Sequence, residues 1–155
     1  AMSPLTVTLG IQNASFVAQA VDWIPESLFQ IVTAAFRHRG LSFVRILQRC
    51  PAFVGNMFEP WVHDPQRMLM LTHENGIKVS PALQKIYGNR IVHDPSDINR
   101  AREIASSEDP IPVGILYHNP SVPCYEDLRR AGMLRTTDTI RSSFEAELDK
   151  FTVWP

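Results

Sequence analysis

The residue with the most distinctive chemistry in this chain is a cysteine followed at once by proline, in the stretch SFVRILQRCPAF from Ser42 to Phe53. Cys50 sits where an apolar strand should stop, and Pro51 cannot continue a central ladder. A thiolate turned aside there is placed to hold a metal or a cluster. The same residue also reads as a small hydrophobe filling the core, the commoner use of a free cysteine. Cys124 is the second of two cysteines and joins no ligand spacing, so neither a disulfide framework nor a four-thiolate cluster is available from this chain alone. The five histidines, His38, His63, His73, His93 and His118, form no i, i+4 pair and no His-Glu-x-x-His, which leaves zinc hydrolysis without a motif. The seven glycines are isolated, so no phosphate-cradling loop is present, and no Ser nucleophile elbow appears.

These residues must be positioned by the elements around them. Phe16–Val21 reads as a strand. Pro25 to Arg39 reads as a helix, with Pro25 in the first turn, a stripe of Leu28, Val32 and Ala35 with Phe36 beside it, and Gly40 as a left-handed stop. Leu41 to Gln48 reads as the next strand, which makes a βαβ unit and implies a parallel sheet. Pro51 to Gly76 is broken by prolines and glycine, with a short strand and an Asn75-Gly76 turn expected inside RMLMLTHENGIKV. Arg90 to Asp94 is a short strand, followed by a helix with Ser96 or Asp97 near its start and Ile98, Ala101 and Ala105 inward. Ile111 to Asn119 is another apolar strand. The last helix carries Ile140, Phe144, Leu148 and Phe151 on one face, capped by Thr136 or Thr137.

The expected fold is therefore α/β: a mostly parallel sheet with helices on both faces, built from βαβ units and ending in an amphipathic helix. Cys50, His93-Asp94 and Tyr117-His118-Asn119 each follow an expected strand. In a parallel sheet all three would meet at one edge, where open α/β folds bind ligands.

The totals exclude several classes. The chain has 155 residues, 45% hydrophobic and 20% charged, enough for one domain with a core. A net charge of −1 gives no bulk attraction to nucleic acid or an anionic membrane. No apolar run reaches the roughly 18 residues of a membrane span, and the first residues lack a signal peptide's pattern. Reduced cysteines in a cytoplasmic setting are expected.

The order of segments resembles the C-terminal half of the β subunit of 2-oxoacid:ferredoxin oxidoreductases, the thiamine-diphosphate enzymes that decarboxylate pyruvate, 2-oxoglutarate and related acids. PLTVTLGIQNASFVAQAVDW is similar to the family's small-residue stretch ending in A-[ST]-F-V-A. AAFRHRGLSFVRILQRCPAF is similar to its helix, H-[RK]-G turn and strand ending in C-P-x-[FY]. LTHENGIKV resembles the loop that often reads L-x-H-G-x-P. IVHDPSD and PIPVGILYHNPSVPCYEDL resemble the C-terminal module, with its L-V-H-D start and P-x-Y-[ED]-[ED]-L end.

The resemblance implies a role for Cys50: fourth ligand of a 4Fe–4S cluster whose other three cysteines lie in the family's N-terminal region. It also implies thiamine diphosphate and Mg²⁺ in the complete enzyme, with a 2-oxoacid and coenzyme A as substrates. The implied partners are the remainder of the β subunit, an α subunit and ferredoxin, with no nucleic acid and no membrane. Departures accompany it. Val54 stands where the family usually has Asn, and the G-D-G…N motif that holds thiamine diphosphate through Mg²⁺ is missing. On this reading residues 1–53 end the thiamine-binding domain, 54–135 form the family's C-terminal module, and 136–155 are a terminal helix and tail. The isolated chain is expected to be inactive. The alternative is a non-catalytic α/β interaction module, with Trp23, Trp61 and Trp154 marking its binding face.

Overall fold

The computed structural model describes residues 2–53, 55–74, 77–130 and 136–151. Five strands, β1 (Phe16–Val21), β2 (Ser42–Leu47), β3 (Met68–Thr72), β4 (Arg90–Val92) and β5 (Ile111–His118), form one sheet in the order β2-β1-β5-β3-β4. Seven helices are described: α1 (Pro4–Thr8), α2 (Pro25–Arg37), α3 (Glu59–Val62), α4 (Pro81–Ile86), α5 (Ile98–Ala105), α6 (Tyr125–Arg130) and α7 (Thr137–Asp149). The chain divides into two compact units, Ala1–Cys124, which holds the whole sheet, and Tyr125–Pro155.

Three of the four strand pairs are parallel: β1 with β2, β3 with β4, and β3 with β5. Both expected βαβ units are present, β1-α2-β2 and β4-α5-β5, the second crossing over β3. The fourth pair, β1 with β5, is antiparallel, with Phe16 opposite both Ser42 and His118. The sheet is thus two parallel blocks running in opposite directions, joined along β1 and β5.

The pleat sends alternate residues to two cores, each covered by helices. Phe16, Ala18, Met68, Met70, Val113 and Ile115 face α2 and the segment around Val79 and Leu83. Val17, Leu71 and Leu116 face α1 and α5 through Leu5, Leu9, Ala101 and Ile104. Burial on both faces explains why β1 and β5 read as continuous apolar runs rather than alternating ones. Each fully buried aliphatic side chain contributes on the order of 1.5–3 kcal/mol. Gly114, with φ +139°, lets β5 approach β3: a Cβ there would lie 2.8 Å from the Leu71 Cβ.

Two local readings need correction. The inward face of α2 is Ser27 and Ile31 with Leu28, Ala34 and Ala35, whereas Val32 and Phe36 point outward, Phe36 with 90% of its surface exposed. The stripe rotates because α2 packs through its small residues, so close approach to β1 and β2 outranks side-chain bulk. Gly40 does not supply an αL stop; the helix ends with His38 extended, and Gly40 takes φ +146° two residues later. The caps follow expectation: the Asp97 carboxylate accepts from the Asn99 and Arg100 N–H groups, and Thr136 caps α7 by accepting from Thr139 N–H. Ile140, Phe144, Leu148 and Phe151 are exposed in the second unit. The Asn75-Gly76 turn lies outside the described residues.

Candidate functional site

Two opposite rims of the sheet carry the chemistry. The first is the carboxyl end of β1 and β2. Cys50 lies three residues beyond Leu47, half-buried, with a free thiol. Its N–H donates to the Gln48 carbonyl and its own carbonyl accepts from Phe53 N–H, a tight bend through Pro51 just beyond the end of β2. One residue earlier, Arg49 donates from Nε to the Asp22 carboxylate at 3.0 Å and from its backbone N–H at 3.2 Å, tying the ends of β2 and β1 together. The Arg49 guanidinium also lies over the Trp23 ring, 5.9 Å from its centre. The Trp23 ring meets Phe58, and Phe58 meets Trp61, in tilted contacts with ring centres 5.8 and 6.2 Å apart. Both tryptophans are only partly exposed and pack on the core, so the structure does not offer them as a free binding face; Trp154 lies outside the described residues. Among the described residues no three His, Cys, Asp or Glu side chains converge as a metal site.

The second rim gathers four of the five histidines. His93 follows β4, His118 ends β5, His73 follows β3, and His38 follows α2, just before β2 starts. The shared edge expected for Cys50, His93-Asp94 and His118 is therefore not formed. The last two share a rim, and Cys50 lies at the other end. The physical cause is the antiparallel β1–β5 pair, which aligns His118 with the start of β2 rather than its end. The five-residue advance from Ser42 to Leu47 alone is about 17 Å of strand.

Backbone hydrogen bonds fix this second rim. His93 N–H donates to the Thr72 carbonyl, His118 N–H to the Pro95 carbonyl, and Asn119 N–H to the Ser15 carbonyl. The imidazoles then meet in pairs: His38 and His118 have ring centres 5.0 Å apart, His73 and His93 5.6 Å. The Ser15 hydroxyl donates to the Leu41 carbonyl, so its oxygen accepts from His38 Nε2, 2.9 Å away. A Cβ on Gly40 would lie 2.7 Å from that hydroxyl and 2.9 Å from His38 Nε2, which is why glycine stands there. His93 Nε2 donates to the Ile115 carbonyl at 2.9 Å, while its Nδ1 and both ring nitrogens of His73 are buried with no partner among the described residues.

Burial lowers the pKa values of His38, His118 and His73. His38 is lowered further by His118, and His73 is pushed to about 4 by burial and then by the repulsion of His93 and His118, with Asp94 opposing. Asp94 is held low chiefly by the Ser96 N–H and hydroxyl. Together these groups line a cleft of about 1140 Å³ with Phe29, Arg37 and Ile77. It presents imidazoles and the Arg37 and Arg39 guanidiniums beside the Glu74 and Asp94 carboxylates, a set that recognises polar groups able to accept and donate hydrogen bonds. His38 and His73 carry no spacing signal in the sequence; the parallel β3–β4 pair sets His73 beside His93, and the reversal of β5 against β1 brings His38 to His118.

Residues 83–131 match the family model for the C-terminal part of the pyruvate ferredoxin oxidoreductase beta subunit. Subunit beta of 2-oxoacid:ferredoxin oxidoreductase 2 from Aeropyrum pernix is 26% identical over 118 residues, 73% of this chain and 34% of that protein. The 2-oxoacid:ferredoxin oxidoreductase subunit beta of Sulfolobus sp. is 24% identical, covering 84% and 40%. The 2-oxoglutarate oxidoreductase subunit KorB of Mycobacterium tuberculosis is 26% identical, covering 93% and 45%. The fold matches a chain of the 2-oxoglutarate:ferredoxin oxidoreductase of Magnetococcus marinus, solved with 2-oxoglutarate, coenzyme A and succinyl-CoA bound. The TM-score is 0.56 at 22% identity, over 92% of this chain and 44% of that one. The chain thus spans about a third to just under half the length of the relatives it matches.

Proposed function

We propose, from the premise that this chain is similar along most of its length to part of 2-oxoacid:ferredoxin oxidoreductase β subunits, that it is the C-terminal segment of such a subunit. The complete enzyme oxidatively decarboxylates a 2-oxoacid to an acyl-CoA and passes the electrons to ferredoxin. It acts in the cytoplasm, with an α subunit and the rest of the β subunit as partners. Residues 1–53 then end the thiamine-binding domain, 54–135 are the family's C-terminal module, and 136–155 a helix and tail.

The chain's own donors do not fit the full cofactor set. A 4Fe–4S cluster needs four thiolates, and this chain has two cysteines. It also lacks the G-D-G…N motif for thiamine diphosphate and Mg²⁺, so no reaction step is assigned to its residues. One residue does fit a single-ligand role. Cys50 is a free, half-buried thiol on the carboxyl rim of two parallel strands, held there by the Pro51 bend and the Arg49–Asp22 clamp. That observation carries the reading: Cys50 supplies the last thiolate of a cluster whose other three come from polypeptide outside this sequence. Cys124 is assigned no ligand role.

The reading is tested by assembling the full-length β subunit with its α subunit and assaying coenzyme A-dependent ferredoxin reduction with pyruvate, 2-oxoglutarate and branched 2-oxoacids. Turnover with at least one is expected, and none from the 155-residue chain alone; silence across the panel from a folded, cofactor-loaded assembly overturns it. Exposed aromatic side chains favour a second reading alongside this one, a purely non-catalytic packing module. Phe36 and Phe53 are about nine-tenths exposed, as surfaces made to meet other polypeptide are. A complete assembly that binds its partner yet never turns over selects that reading.

A further inference from the structure

The histidine cleft lies on the rim opposite Cys50, and the function proposed above makes no use of it. Its hydrogen-bonding state defines what would fill it. His93 donates its Nε2–H to the Ile115 carbonyl, an acceptor that cannot donate in return, so in the neutral ring Nδ1 is a lone pair. That nitrogen is buried and unpartnered among the described residues, on a residue only 6% exposed that lines the cleft. His73 beside it, neutral at pH 7, has one N–H and one lone pair, both buried and unpartnered. Leaving such groups unmet forfeits their hydration with no hydrogen bond in exchange. The Arg37 guanidinium lines the same cleft and forms no ion pair among the described residues. The niche therefore asks for a group that accepts from an imidazole and a guanidinium and also donates one hydrogen bond to an imidazole lone pair.

A fully ionised carboxylate or sulfate meets the first requirement and fails the second. A phosphate that retains one proton meets both, and near neutral pH phosphates hold that proton in part, with a pKa of about 6 for monoesters. The carboxylates of Glu74 and Asp94 on the same wall add a bias against oxyanions without a proton.

We propose that this cleft binds a protonated phosphate group, whose P–O–H donates to His93 Nδ1 and whose other oxygens accept from the His73 ring N–H and from Arg37. The ligand is inorganic phosphate or a small phosphate monoester, sharing that one head group.

The test titrates the 155-residue chain at pH 7 with sodium phosphate, with sodium sulfate at matched ionic strength, and with glycerol phosphate. Binding is read from long-range proton–nitrogen spectra of the histidine rings. Phosphate should saturate and move the His93 Nδ1 and His73 ring resonances, with sulfate at least about tenfold weaker. Arg37→Gln, an exposed change that leaves the core intact, should weaken phosphate by about tenfold. Glycerol phosphate binding as well as phosphate marks an ester head group, and weaker binding marks free phosphate; either supports the assignment. Sulfate binding as tightly as phosphate would reduce the cleft to simple charge attraction and overturn the proposal. So would the absence of any saturable change, which would leave the niche to water.

Discussion

The two rims of this sheet are built from the same strands and differ in nearly everything chemical. At the carboxyl end of β1 and β2, a single half-buried thiol is held by a proline bend and one exposed ion pair, beside partly covered aromatic rings. At the other end, four imidazoles crowd into a cleft, fixed by backbone hydrogen bonds, with burial lowering the pKa values of His38, His73 and His118. The first rim is open and loosely tethered, as a surface that shares its ligand with other polypeptide would be. The second is internally organised and needs nothing else to hold its geometry. A parallel sheet has one functional edge; a sheet of two opposed blocks has two.

The largest expected difference between the rims is in their tolerance of substitution. Gly40→Ala drives a methyl group into the Ser15–His38 hydrogen bond and imposes a side chain at φ +146°. It should cost about 2–3 kcal/mol in denaturant unfolding. Cys50→Ser at the opposite rim should cost under about 1 kcal/mol. Equal losses would dissolve the contrast between a self-sufficient rim and an open one.

Acid should also act on one rim. His73 has a folded-state pKa of about 4, below the ordinary value of 6.5. The unfolded chain therefore takes up a proton before the folded one does, and stability is intact above pH 6.5 and is lost as pH falls from 6.5 towards 4. With solvent screening of this half-buried ring, the loss is about 1–2 kcal/mol. His38 and His118, also lowered, act in the same direction. His73→Gln should flatten the stability profile between pH 6.5 and 4, and an unchanged slope would remove His73 from the cause.

The smallest effect belongs to the clamp beside Cys50. Asp22→Asn removes a solvent-exposed ion pair and should lower stability by about 0.5 kcal/mol, best measured in a double-mutant cycle with Arg49→Ala. A coupling of several kcal/mol would mean that the first rim is as rigid as the second.

Much of this molecule is legible in its residues. The continuous apolar runs of β1 and β5, the Asp97 and Thr136 caps and both βαβ units follow from local patterns. The position of Cys50 at a strand mouth follows from proline chemistry alone. Direction is what the residues do not disclose. Nothing in Ile111–His118 states that it runs against Phe16–Val21, because a strand buried on both faces has the same composition in either sense. The parallel strands β3, β4 and β5 bring His73, His93 and His118 together, and that one antiparallel pair adds His38 to them. The inward face of α2 escapes local reading for a related reason. Helical spacing fits both the Leu28–Val32–Ala35 and the Ser27–Ile31–Ala34 stripe, and the buried face takes the second together with Leu28 and Ala35, leaving Val32 outside.

The role of Cys50 as a ligand is the central claim, and one measurement addresses it directly. The full-length subunit, assembled anaerobically with iron and sulfide, is compared as wild type, Cys50→Ala and Cys124→Ala for iron content, acid-labile sulfide and the electron paramagnetic resonance signal after reduction. Loss of the four-iron signal in Cys50→Ala, with Cys124→Ala unaffected, is the predicted result. A Cys50→Ala protein that keeps a full, reducible cluster would contradict it.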